Sequence, residues 1–284
     1  VPSDATAAAP SPSVAVSAPA SVANAAGPAP HAVVTGSSSG IGRAIAESLL
    51  ATGWRVTGLD VAPPAIVHAA FAHLPVNLAD GDAIARAAAA LLTAGPRATT
   101  APNALGHASA HAQDPSPAPQ APDALVHAAG VLRVGPLGQL DHAGGELMWR
   151  LHVDAATRLA DTLVPAMAAR GRGRVVFIGS RVAQGMPGRG QYAATKAALI
   201  ALARSWAAEV AGQGVTVNVV SPAATATGML TDPARAGSAP RLPPIGRLIE
   251  PAEIAALTGY LLSPAAAAIT GQDIAICGGS SLAR

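Results

Sequence analysis

From His31 onward, short runs of mostly consecutive apolar residues alternate with longer stretches in which apolar positions recur every three or four residues. HAVVT (31–35), WRVTGLD (54–60), HLPVN (73–77), ALVHAA (124–129), GRVVFIG (173–179), VTVNVV (215–220) and DIAIC (273–277) have the length and β-branched content of strands. Runs with so little polar alternation are those of strands covered on both faces. The helical spacing predicts helices over about 40–52, 81–93, 143–170, 190–211 and 250–262.

Strand and helix in strict alternation specify an α/β fold with a parallel sheet between two helical layers. The expected architecture is a single doubly wound, Rossmann-type domain over residues 30–284. Two segments break the pattern. Residues 1–29 are almost all Ala, Pro, Ser and Val without periodicity, a composition that buries too little surface to offset ordering entropy, and read as a disordered tail. Residues 94–122 are of the same kind and read as a flexible surface insertion; they carry His107 and His111 at helical spacing, but the Pro and Gly around them oppose a helix and no cysteine ligand is near.

Composition narrows the function classes. Half the residues are apolar and the net charge is only +2, too small and dispersed for a nucleic-acid or membrane surface. The one cysteine, Cys277, excludes an intrachain disulfide and a multi-cysteine metal site, so no metal is expected; it reads as a small buried residue near a strand end. No run is long and apolar enough for a membrane span and no signal-peptide pattern opens the chain, which makes a cytoplasmic location the default expectation.

TGSSSGIG (35–42) follows the first strand and opens the first helix. Glycines at 36, 40 and 42 permit a tight turn and close approach to a pyrophosphate, whose charge the helix N-terminus stabilises. Asp60 ends the second strand, where a carboxylate accepts hydrogen bonds from ribose hydroxyls and repels a 2′-phosphate. With Ser39 neutral and no basic residue next to Asp60, NAD is favoured over NADP, although Arg43 and Arg55 are guanidiniums to consider for a phosphate. Asn77 and Leu78, after the third strand, suit an adenine edge.

Of 18 Lys and Arg residues a single one, Lys196, is lysine. In an arginine-rich chain its retention asks for chemistry that arginine cannot perform. It lies four residues after Tyr192, one of two tyrosines, so both share a helix face; an ammonium there favours the phenolate and draws the phenol toward general-base work. Ser180, twelve residues before Tyr192 at a strand end, offers a hydroxyl to hold a substrate oxygen.

TGSSSGIG, HAAG (127–130), Ser180 with YAATK (192–196) and NVVSP (218–222) together resemble the short-chain dehydrogenase/reductase family from His31 onward. The resemblance implies that Ser180 orients substrate, Tyr192 exchanges the proton, and Lys196 binds the nicotinamide ribose and lowers the tyrosine pKa. It implies NAD contacts from Gly36, Ser38, Ser39, Gly40, Ile41, Gly42, Asp60, Asn77, Leu78, Ala129, Gly130, Tyr192, Lys196, Pro222, Thr225 and Thr227, and assembly as a homotetramer or homodimer. There are departures: His127 and Ala128 replace two asparagines, Ala223 replaces a glycine, and the serine-to-tyrosine spacing is one residue short of many members. VDAAT places Asp154 as the counterpart of an asparagine that kinks a helix and holds a water in the proton relay.

NLADGDAIARAAAALL, DALVHAAGVLRVG (123–135), NVVSPAATATGM (218–229) and ITGQDIAICGGSSL are similar to the NAD-dependent 2,3-dihydro-2,3-dihydroxybenzoate dehydrogenases of catechol siderophore biosynthesis. That resemblance implies a small aromatic-ring precursor as substrate, with Arg133 pairing with its carboxylate and Met186, Met229 and Leu132 lining an apolar slot. Two other readings stay open: a general carbonyl reductase, of 3-oxoacyl-carrier-protein or sugar-alcohol type, and a non-catalytic nucleotide-binding protein.

Overall fold

The computed structural model describes residues 28–93, 121–231 and 241–282. In chain order these form β1 (His31–Thr35), α1 (Gly40–Ala51), β2 (Arg55–Asp60), β3 (Phe71–Pro75), α2 (Gly81–Thr93), β4 (Ala124–His127) and α3 (His142–Trp149). A π-helical turn (Arg150–Asp154) leads into α4 (Ala155–Ala169), followed by β5 (Gly173–Ile178), α5 (Gly190–Val210), β6 (Val215–Pro222), α6 (Pro251–Leu262) and β7 (Asp273–Ile276). The seven strands lie in the order β3-β2-β1-β4-β5-β6-β7, every neighbouring pair parallel.

Each central strand divides its side chains between two cores, as the period of two requires. Val33, Leu125, Val175, Phe177 and Val217 pack with Ile84 of α2, Leu159 and Leu163 of α4 and Leu199 of α5. Their neighbours Val34, Val126, Val176 and Ile178 face the other way, against Ile45 and Leu49 of α1 and Ile254 and Leu261 of α6. Apolar runs without polar alternation are thus the signature of a sheet with no wet face.

Three expectations need adjustment. The third strand starts and ends two residues earlier than the run HLPVN, because its register on β2 pairs Phe71 with Val56 and stops at Pro75 opposite Asp60. The helix expected over 143–170 is interrupted at Arg150–Asp154, where Ala155 N–H reaches back to the Arg150 carbonyl and one turn takes in an extra residue. Of the expected tail and insertion, residues 1–27 and 94–120, with His107 and His111, lie outside the described residues. Ala121 is buried in the core and the Pro122 carbonyl accepts from the Arg170 guanidinium, so the end of the expected insertion belongs to the entry of β4.

Cys277 is half-buried just after β7 rather than enclosed. Among the described residues no helix is long and apolar enough to cross a membrane, and no group of His, Cys, Asp and Glu could hold a metal ion.

Candidate active site

The carboxyl ends of β1, β2, β4, β5 and β6 open onto one cleft of about 920 Å³, at the point where strand order reverses between β1 and β4. At its β1 side the chain turns so tightly that only glycine fits. A Cβ on Gly36 (φ +68°) would lie 2.8 Å from the Ala129 Cα, and one on Gly42 would run into the Gly36 carbonyl oxygen. The turn is held from β2 by Asp60, whose two carboxylate oxygens accept from Ser38 N–H and Ala62 N–H, each at 3.0 Å. Asn77 closes a small turn by accepting from Ala79 N–H at 3.0 Å.

Of the residues expected to contact a cofactor, all but Ser38 line the cleft, and Ser38 acts one step back through Asp60. Arg43 pairs with Glu47 at 2.7 Å one turn along α1. Arg55 begins β2, at the opposite end of the strand from Asp60.

On the far side of the cleft α5 presents Tyr192 and Lys196, both buried. Lys196 Nζ donates to the Ile178 carbonyl at 2.8 Å and lies 5.8 Å from the centre of the Tyr192 ring. Burial lowers the Lys196 ammonium from 10.5 to about 7. Ser180, at the end of β5, also lines the cleft, and its hydroxyl oxygen accepts from Val182 N–H at 3.2 Å. Met186, Met229 and Leu132 complete an apolar wall.

Two expected residues are not brought to the site. Asp154, at the end of the π turn, pairs with Arg158 of α4 at 2.9 Å on the outer side of the helix and does not line the cleft. Arg133 turns back to donate to the Leu132 carbonyl at 3.0 Å and is likewise absent from the lining. The arginines that line the cleft are instead Arg181, whose guanidinium donates to the Ser280 carbonyl at 3.3 Å, Arg189 and Arg241, while Asp60 is the one acidic residue among the described lining residues.

The residue that the π turn directs inward is His152, without solvent exposure. Its Nε2 accepts from Val131 N–H at 3.1 Å, which places the ring proton on Nδ1, facing the Thr195 hydroxyl at 2.8 Å. Thr195 in turn donates to the Tyr192 carbonyl at 2.8 Å, and the imidazole stands edge-on to the Tyr192 ring, centroids 5.6 Å apart at 88°.

His127 makes a matching connection with the opposite tautomer. The Thr35 hydroxyl oxygen accepts from Ala128 N–H and Ala129 N–H, so its own proton goes to His127 Nδ1, and Nε2–H is left to donate to the Leu151 carbonyl at 3.0 Å. Burial and then the Lys196 charge hold both imidazoles neutral, His127 down to about 3 and His152 well below 6.5. A legible signal for His152 existed: it lies four residues after the buried Met148 and four before the buried Ala156, whereas Asp154 has the spacing of a surface ion pair with Arg158.

The family described as Enoyl-(Acyl carrier protein) reductase matches residues 118–281. The 3-oxoacyl-[acyl-carrier-protein] reductase FabG of Escherichia coli (strain K12) is 34% identical over 258 residues, covering 87% of this chain and 96% of that protein. The 2,3-dihydro-2,3-dihydroxybenzoate dehydrogenase of the same organism is 33% identical over 262 residues, covering 88% and 96%. A solved structure described as a short chain dehydrogenase/reductase family protein superposes with a TM-score of 0.74 at 30% identity, covering 89% of this chain and 98% of that one.

Proposed function

Because the chain is an oxidoreductase of the short-chain dehydrogenase/reductase family, we propose that it is an NAD-dependent dehydrogenase in which Ser180, Tyr192 and Lys196 carry out the proton chemistry at a hydroxyl-bearing carbon. The observation that carries the reading is the convergence of these three side chains on one cleft whose other end is built of glycines that admit no Cβ and a carboxylate at the end of β2. Those residues fit a dinucleotide: the tight turn that Gly36 and Gly42 allow brings the N-terminus of α1 to the cleft, where it would meet the pyrophosphate, and Asp60 would meet the ribose hydroxyls. Asp60 would oppose a 2′-phosphate, Arg43 is paired with Glu47, and Arg55 stands at the opposite end of β2. NAD supplies, when bound, the acceptor for hydride.

Tyr192 takes the proton of the substrate hydroxyl at its phenolic oxygen, and Ser180 steadies that oxygen with its hydroxyl proton. Lys196, when protonated, favours the tyrosinate. The substrate reading is a cyclic dihydrodiol carboxylate of the 2,3-dihydro-2,3-dihydroxybenzoate kind. Arg181, Arg189 and Arg241 supply the positive charge first assigned to Arg133, and the ketone formed would tautomerise to a catechol. The second reading, reduction of a 3-oxoacyl thioester, is favoured by the FabG relative, and the family description shares with it only the acyl-carrier-protein substrate. A homodimer or homotetramer is proposed on the family resemblance.

The test is an absorbance screen at the nicotinamide band. NAD with 2,3-dihydro-2,3-dihydroxybenzoate or simple secondary alcohols is set beside NADH or NADPH with a 3-oxoacyl thioester. Reduction of NAD by the dihydrodiol acid is the expected result, and turnover of the thioester alone selects the second reading. Tighter binding of NADPH than NADH by the wild-type protein would refute the role of Asp60; Asp60→Ala is expected to weaken NADH and improve NADPH.

A further inference from the structure

We propose that His152 is a positioning residue: its imidazole, fixed as the Nδ1–H tautomer, ties the backbone at Val131 to the turn of α5 that carries Tyr192 and Lys196. This rests on the reading of the cleft given above, in that Ala129–Val131 is the cofactor side and Tyr192 the proton-exchanging group. Three observations carry it. Each ring nitrogen serves a different element, Nε2 the segment after β4 and Nδ1 the helix α5 through Thr195. The ring is enclosed and stands edge-on to Tyr192. The main chain beneath leaves the ring no slack, since a Cβ on Gly130 would lie 2.6 Å from Nε2.

The direction of the hydrogen bonds distinguishes this from packing alone. Val131 N–H gives to His152, His152 gives to Thr195, and Thr195 gives to the Tyr192 carbonyl, so every donor and acceptor is used once in one sense. An apolar ring of similar volume would fill the space and leave the part-buried Val131 amide and the buried Thr195 hydroxyl each without this partner. His127 reinforces the same turn by donating to the carbonyl of Leu151, the residue just before.

Two conservative variants separate the two connections. The amide of asparagine overlays Nδ1, so His152→Asn keeps the bond to Thr195 and gives up Val131; the amide of glutamine reaches Nε2, so His152→Gln does the reverse. The expected result is a split. His152→Asn raises the NADH dissociation constant about fivefold in a fluorescence titration, with its main loss there. His152→Gln holds NADH within about twofold, but kcat falls about fivefold or more and the apparent pKa of the rate moves. His152→Leu loses on both counts.

Variants that are indistinguishable from one another, whether all near wild type or all equally impaired, would overturn the proposal. An independent readout covers variants that fail to fold: nitrogen-15 spectra of the wild-type histidines are expected to show His152 protonated on Nδ1 and His127 on Nε2. The reverse tautomer at His152 would defeat the proposal whatever the activity. A wild-type protein that binds no NADH yet shows these tautomers would sink the functional reading and leave the connection standing.

Discussion

Lys196 is placed where its charge is costly. Buried, with one carbonyl partner at Ile178, it titrates at about 7 in the fold against 10.5 when exposed. Between those values the unfolded chain binds more protons than the folded one, so stability rises with pH through that window and the penalty is fully present below it. An arginine at the same place could not shed its proton to escape the penalty. Lys196→Met is therefore expected to raise the stability of the cofactor-free protein at pH 7 by about 1 kcal/mol or more, with the gain shrinking toward pH 10.5, while activity is lost. Calorimetry of both proteins across that range checks the sign.

At the scale of elements the π turn between α3 and α4 decides what faces the site. A continuous helix over 143–170 gives one phase to all its residues; the extra residue in the turn alters that phase at the point where His152 and Asp154 compete for the inward position. Strand and helix existence was readable from the apolar runs because the sheet is buried on both faces, and the glycine turn, Asp60, Ser180, Tyr192 and Lys196 were readable because each is tied to the end of a strand or the start of a helix. Asp154 and Arg133 were misplaced for a physical reason: their roles depended on the phase of a helix and the direction of a long side chain, which spacing alone does not fix. The end of β3 depended on its partner strand in the same way. The turn also sets a prediction for Gly130. Gly130→Ala drives a methyl into His152 Nε2 and is expected to cost about 1–3 kcal/mol, with a smaller cost when combined with His152→Ala, as a double-mutant cycle in denaturant would measure.

Across the whole molecule, the two cores on opposite faces of one sheet make the cleft a product of the global fold. Its floor comes from β1 and β4, its proton chemistry from β5 and α5, and its mouth from the segments after β6 and β7. The sole lysine lies inside that assembly, in the second turn of α5 and enclosed by it. A lysine-specific endoprotease therefore has one peptide bond to cut in the entire chain, and that bond is shielded unless α5 opens. Under native conditions with closing faster than cleavage, the rate at which two fragments appear reports the population of opened molecules. NADH, if it binds the cleft, is expected to slow that single cut in proportion to its occupancy, giving a measure of ligand binding that requires neither turnover nor knowledge of the substrate.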